Sequence, residues 1–388
     1  MILFIISPIV AYFYSLKHPD RPSSRLTVML MLMLFGFFMN TESEGADLYR
    51  YLRMLEDAKG PIDAVREFLA LEETDIYRSL SISIIGLVTK NGHILMAWFG
   101  LVLGYFLSLC LRFFKNQYDL LSWSLVILTM GLTFPGLAGV RQVTASWLFF
   151  YGLNVYVSDR NPKGLALMLS SILIHFSFMM MVAMLIPYYF LKDKTKICII
   201  VFLASFVLTI PAISMYISSI ASQLGGVFES RASTYSLENA NYVDSIIAST
   251  EKMNWYIKYK SDVFLYGLAV YGLILFTWRK SVLIGEREKR FLNFFLLMFA
   301  FRNIVVDIPD VGVRTTGFCC TVALYVVFLM YNVNRQNIVL RYATYIVVAA
   351  SLLNVAYSIR TTFYYVSLWE ILVSPFVSIP VKIFEYLL

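Results

Sequence analysis

Long apolar runs broken by short basic turns recur from one end of the chain to the other, and their spacing predicts membrane-crossing helices. The runs lie near residues 2–16, 26–40, 92–111, 120–135, 143–157, 197–220, 263–278, 291–306, 315–333 and 340–358. A bilayer core offers the backbone no water, so only elements that close their own hydrogen bonds can cross it. The pattern therefore predicts an all-α polytopic integral membrane protein of about 10 full transmembrane helices. It forms a single transmembrane domain over 1–388. The first run has no basic n-region and no small-residue cleavage site, and reads as a span rather than a removed signal peptide.

Two stretches fit that scheme poorly. Residues 72–89 carry Arg78 and several hydroxyl side chains and are amphipathic at best. Residues 164–191 would rise about 42 Å as one helix, against a core of roughly 30 Å. Basic loops arbitrate, because Lys and Arg of short loops collect on the cytoplasmic side. If 72–89 is an interfacial helix and 164–191 a half-spanning hairpin, the inner loops are 17–25, 112–119, 158–163, 192–196, 278–290 and 334–341. These hold more than half of the 32 lysines and arginines. The rival topology, with 72–89 as a full span and 164–191 as one tilted span, turns 112–119 and 158–163 outward and Arg141 inward. The favoured topology leaves two long outer loops. Residues 41–75 are acidic with helical periodicity, with Leu52, Leu55, Ala64 and Leu69 set to form apolar stripes on the membrane surface. Residues 221–262 are rich in Ser, Asn and Tyr and suit a polar ligand.

Composition agrees. Of 388 residues 59% are apolar, 16% aromatic and 15% charged, whereas a soluble domain carries about 25% charged residues. The net charge of +7 sits in short loops, with no basic cluster interleaved with polar surface, so nucleic acid is not an expected partner. Cys110, Cys198, Cys319 and Cys320 show no metal or redox spacing. With three histidines and no Walker or dinucleotide glycine loop, neither a metal nor a cofactor is expected.

Candidate chemistry gathers where polar groups interrupt apolar runs. Arg141 and Gln142 follow Phe134-Pro-Gly-Leu-Ala-Gly139, a helix-breaking turn that exposes amides at the start of the next helix. Amides and a guanidinium together suit an anion, phosphate best; an interfacial arginine reaching lipid headgroups is the plainer reading. His175, followed by Ser177, is embedded in the next apolar run and reads as a base or neutral donor, against a core histidine bonding a carbonyl. The turn 158–163 brings Arg141 and His175 to one depth, where ionisable groups cost about 2.5–3.5 kcal/mol when charged. Arg302, Asp307, Asp310 and Arg314 fall between two spans, as an anion clamp with an orienting aspartate or as bridges tying helices. Asp47, Tyr49 and Tyr51 suit a sugar, through carboxylate–hydroxyl bonds and aromatic stacking, while Glu72, Glu73 and Asp75 add carboxylates.

In order and kind these motifs resemble the EpsG-like members of the Wzy polymerases. The resemblance rests on Asp47-Leu-Tyr-Arg-Tyr51, Glu72-Glu-Thr-Asp-Ile-Tyr77, Val140-Arg-Gln-Val-Thr-Ala145, His175-Phe-Ser177 and a later arginine, Arg302 or Arg314. It implies a GT-C-like fold and a glycosyl transfer that joins polyprenyl-pyrophosphate-linked repeat units of O-antigen or capsule at the outer face of a bacterial inner membrane. For that chemistry Asp47 or His175 is the catalytic base, and Arg141 with Arg302, Arg314 or both holds pyrophosphate. Tyr49, Tyr51, Glu72, Gln142, Ser177 and Asp310 bind or orient sugar. Lipid-linked glycan is donor and acceptor, and a chain-length regulator and a flippase are candidate protein partners. An O-antigen ligase and a non-enzymatic flippase or transporter of lipid-linked glycan are the alternatives.

Overall fold

The computed structural model describes residues 1–40, 47–70, 72–115, 117, 119–131, 133–206, 253–277, 281–306 and 309–387. Every regular element among them is helical. In chain order these are α1 (Ile2–Ile6), α2 (Pro8–Lys17), α3 (Pro22–Phe38), α4 (Asp47–Glu56), α5 (Pro61–Leu69), α6 (Ile76–Gly86), α7 (Gly92–Cys110), α8 (Leu120–Val126), α9 (Val140–Val157) and α10 (Lys163–Ile174). There follow α11 (Phe178–Ala183), α12 (Leu185–Leu191), α13 (Thr195–Ser205), α14 (Trp255–Thr277), α15 (Glu286–Val305), α16 (Pro309–Val333), α17 (Ile338–Ala350), α18 (Leu352–Tyr365), α19 (Leu368–Leu372) and α20 (Pro375–Leu387). Among the described residues, five helical runs are long and apolar enough to cross a membrane: Gly92–Phe114, Leu120–Val157, Trp255–Thr277, Val311–Val333 and Ile338–Tyr365. Shorter apolar helices, α3, α6, α10 and α13 among them, accompany these. The protein is a helical membrane protein. The expected run 2–16 is split at Ser7, whose backbone is extended (φ −151°). Most of the 197–220 run and of the 221–262 loop lies outside the described residues.

The chain divides into two compact units, residues 1–176 with 355–388, and residues 177–354. In the first, α3 and α7 pack backbone to backbone. A Cβ on Gly100 would lie 2.1 Å from the Leu32 carbonyl oxygen, and one on Gly36 2.2 Å from that of Met96. Gly104 meets Met29 in the same way, so the Gly100–Gly104 spacing forms the small-residue seam by which membrane helices approach.

The Leu120–Val157 run is not one rod. A straight helix of that length would measure about 57 Å. Lys17 lies over the Trp123 ring, whereas Tyr12 donates to the Met130 carbonyl at 2.9 Å and packs on Phe134. The chain thus climbs along α2, passes a π-helical turn (Ile127–Gly131) and a 3₁₀ turn (Phe134–Gly139), and descends as α9. Phe150 of α9 meets Phe114, and Arg112 pairs with Asp159 at 2.6 Å, so α9 ends where α8 began. This is the fold-back expected for 120–135 and 143–157.

From there the chain reverses again. The turn Ser158–Pro162 places Arg160 in the left-handed region (φ 52°). α10 then returns along α9 at a glycine contact: a Cβ on Gly164 would lie 2.4 Å from the Gly152 oxygen, and one on Gly152 2.8 Å from the Gly164 oxygen. Only paired glycines permit that approach. α10 stops at His175, whose extended backbone (φ −149°, ψ 115°) breaks the helix where the 164–191 stretch is expected to turn. α6, at 11 residues, rises about 16 Å, against a bilayer core of roughly 30 Å. α4 and α5 realise the periodicity of 41–75 only in part as expected. Leu55 and Ala64 are buried against the protein rather than laid on a membrane surface, while Leu69 is 73% exposed.

In the second unit α15 packs on α13 and α16, and α14 on α17. Asn303 donates to Ser205 at 3.0 Å and Asn293 to the Lys192 carbonyl at 2.7 Å. Such amide bonds fix helix register where apolar packing alone would let helices slide.

Candidate functional site

Four segments of the first unit deliver polar side chains to one buried point. The N-cap of α6 supplies Asp75, the first turn of α9 supplies Arg141, the break after α10 supplies His175, and α4 supplies Tyr51. Each is there for a local reason. Arg141 follows the turn ended by Gly139, and His175 stands where α10 terminates, brought level by the α9–α10 hairpin. Tyr51 faces inward because α4 buries Tyr51 and Leu55 on one stripe.

The Asp75 carboxylate is the hub and is 1% exposed. One oxygen, Oδ1, accepts from the Phe176 backbone N–H at 2.7 Å. The other, Oδ2, accepts from the Arg141 guanidinium and from His175 Nδ1, the latter at 3.3 Å. Arg141 also donates through Nε to the Tyr51 hydroxyl at 2.9 Å, with its guanidinium 5.8 Å from that ring. Phe99 backs the cluster, with ring centroids 5.8 Å from Tyr51 and 5.6 Å from Tyr77. Asp75 lies in the connection before α6. Burial opposes its ionisation, but the hydrogen bond and charge of His175, then Arg141 and the Phe176 N–H, outweigh it and hold the carboxyl at about 2. Beside the ion pair, the buried hydroxyls of Tyr77 and Thr144 lie against each other.

The candidate residues are distributed unequally. Tyr51, Arg141 and His175 come together. Gln142 is the next residue of α9, half-buried, its carbonyl accepting from Ser146 at 2.9 Å. Ser177 starts the second unit, where its carbonyl accepts from the Met180 N–H. Tyr51 differs from expectation: it is 2% exposed, packed on Phe99 and bonded to Arg141, and presents no face on which a sugar could stack. Tyr49 binds Arg53 instead, at 2.6 Å, and Glu72 is exposed. The side chains of Asp47 and Asp310, and all of Asp307, lie outside the description. In the second unit Arg302 is taken up by Thr316 at 3.1 Å and Asn303 at 3.2 Å, and Arg314 is half-buried in the first turns of α16.

The residue that connects the cluster, Asp75, was only one carboxylate of an acidic run in the sequence. Its signal was position: it is the last acid before the apolar segment, at the N-cap. No group of His, Cys, Asp and Glu among the described residues has the geometry to hold a metal ion. A charged guanidinium and an imidazole on one carboxylate can together stabilise an anion and move a proton.

Comparison with characterised proteins and with solved structures yields no match. The model of the EpsG family matches residues 23–367, nearly the whole length, and the chain therefore belongs to the EpsG family.

Proposed function

We propose that this protein is a membrane glycosyltransferase that joins polyprenyl-pyrophosphate-linked oligosaccharide repeat units at the outer face of a bacterial inner membrane. Family membership supports a place in polysaccharide biosynthesis. The observation that carries the finer reading is the buried meeting of Arg141 and His175 on Asp75, at the end of the first unit away from the basic turn 158–163. A structural ion pair needs no histidine and no helix break beside it.

An acceptor sugar hydroxyl attacks the anomeric carbon of the donor. The new C–O bond forms as the bond to the lipid diphosphate breaks, and the electron pair leaves on the diphosphate oxygen. Charge growing there is stabilised by the Arg141 guanidinium and the first amides of α9, worth more where water is scarce. His175 takes the hydroxyl proton. Asp47 is the second candidate base, and Arg302 and Arg314 are the cationic candidates of the second unit.

The test is extension of a purified polyprenyl-pyrophosphate repeat unit by the full-length protein in detergent or vesicles. Wild type should yield ladders of multiple repeats. Arg141→Ala and Arg141→Lys should both abolish them at normal protein level, since lysine cannot reproduce two-pronged bonding. Transfer only to a lipid A core acceptor would identify a ligase, and movement of the lipid-linked unit without transfer a flippase. Either result sinks the polymerase reading.

A further inference from the structure

We propose that Asp75 is the positioning residue of the site, fixing His175 as a base and holding Arg141 beside it so that proton acceptor and cation act as one unit. The proposal rests on the transferase reading above and adds to it the residue on which both partners turn.

A carboxylate only accepts hydrogen bonds, so the His175 nitrogen facing Asp75, Nδ1, carries the hydrogen. In the neutral ring the basic lone pair then belongs to Nε2, the tautomer a general base needs. The second carboxylate oxygen takes the Phe176 N–H at 2.7 Å, so the same group holds both the ring and the backbone of the break that presents it. Rotation of the ring would cost the first contact, and movement of the break the second. An aspartate at a helix N-cap ordinarily accepts from an amide of the first turn. Asp75 makes no such bond and gives both oxygens to His175, Phe176 and Arg141. A capping role therefore does not account for it.

When the acceptor O–H bond breaks, the proton moves to Nε2 and the imidazole becomes a cation. Asp75 then faces two positive groups. Its charge favours the protonated ring, while Arg141 opposes it. Among the described residues, the charged groups joined to the ring include Asp75 and, through the same carboxylate, Arg141, with the Tyr51 phenol bonded to Arg141 and the Tyr77 phenol beside Tyr51.

The experiment follows the pH dependence of diethyl pyrocarbonate modification of His175, resolved by peptide mass spectrometry on the full-length protein in detergent. Asp75→Asn should lower the midpoint by about one pH unit or more, Arg141→Gln should raise it, and Asp75→Glu should stay near wild type. In the polymerisation assay Asp75→Asn should fall to the level of His175→Ala, and the double variant no lower, because the two residues act together. An unchanged midpoint in Asp75→Asn, or losses that add, overturns the proposal. Should Asp75→Asn fail to fold, Arg141→Gln decides: no upward shift means that the ring does not sense the cluster. A wild-type protein that never extends the repeat unit defeats the transferase reading and leaves the titration result standing. An unmoved titration defeats the role of Asp75 even in an active polymerase.

Discussion

Asp75 shows what one carboxylate costs and returns in a nearly dry site. Its folded pKa of about 2 lies below the ordinary 3.8. Depression means that ionised Asp75 stabilises the fold at every pH above the unfolded value, and that this is lost as pH falls through 4 toward 2. The shift corresponds to about 2 kcal/mol. Thermal melting in detergent should therefore show wild type losing more stability over that window than Asp75→Asn, which is weaker at neutral pH. Arg141 and His175 were legible from sequence because a cation and an imidazole stand out in apolar runs. Asp75 was not, since a carboxylate after Glu72 and Glu73 looks like one more solvated charge, and burial is a tertiary property. The burial of Tyr51 is hidden for a related reason: helical spacing puts it on one stripe with Leu55, but which way that stripe faces is a tertiary property.

At the level of elements, the hairpin α9–α10 depends on a contact without side chains. Gly164→Leu places a branched chain where 2.4 Å is available to a first carbon, so α10 must lift from α9. The expected result is destabilisation of about 2 kcal/mol or more, together with loss of polymer, although the substitution lies a full helix length from His175. A melt and a ladder assay on the same preparation check both. Conversely Gly139 and Gly317 have open space at the Cβ position, so alanine there meets no clash. The apolar runs and the helix-breaking turn at Pro135–Gly139 told correctly where α9 starts. The backbone contacts at Gly36, Gly100 and Gly104 leave no signal in the sequence, because glycines inside apolar runs look like ordinary membrane composition until a partner helix is known.

For the whole molecule, the proposed sidedness rests on the charge pattern of the loops, since Lys and Arg of short loops collect on the cytoplasmic side. The proposed outer placement of the Asp75 end predicts that a membrane-impermeant maleimide labels Glu72→Cys in intact cells and labels Lys163→Cys only after permeabilisation, in a background without the native cysteines. The reverse result would put the cluster in the cytoplasm and remove the lipid-linked donor from its reach. The helical class and the fold-back of 120–157 followed from hydropathy and helix-breaking residues. The interfacial helix in 72–89 and the hairpin in 164–191 were also expected, but not the separate bounds of α6, α11 and α12, because a segment too short to span leaves no distinctive hydropathy signal.

The glycine crossing also acts as a fixed origin of length. As many residues separate Gly152 from Arg141 as separate Gly164 from His175, so guanidinium and imidazole are counted off equally along opposed helices, about 16 Å from the crossing. A single-residue deletion in either arm slides one group by about 1.5 Å and swings it roughly 100° around its axis. A matching deletion in the other arm restores the height but not the heading. Among relatives of this protein, insertions and deletions should therefore be confined to the 158–163 turn, with both arms constant in length.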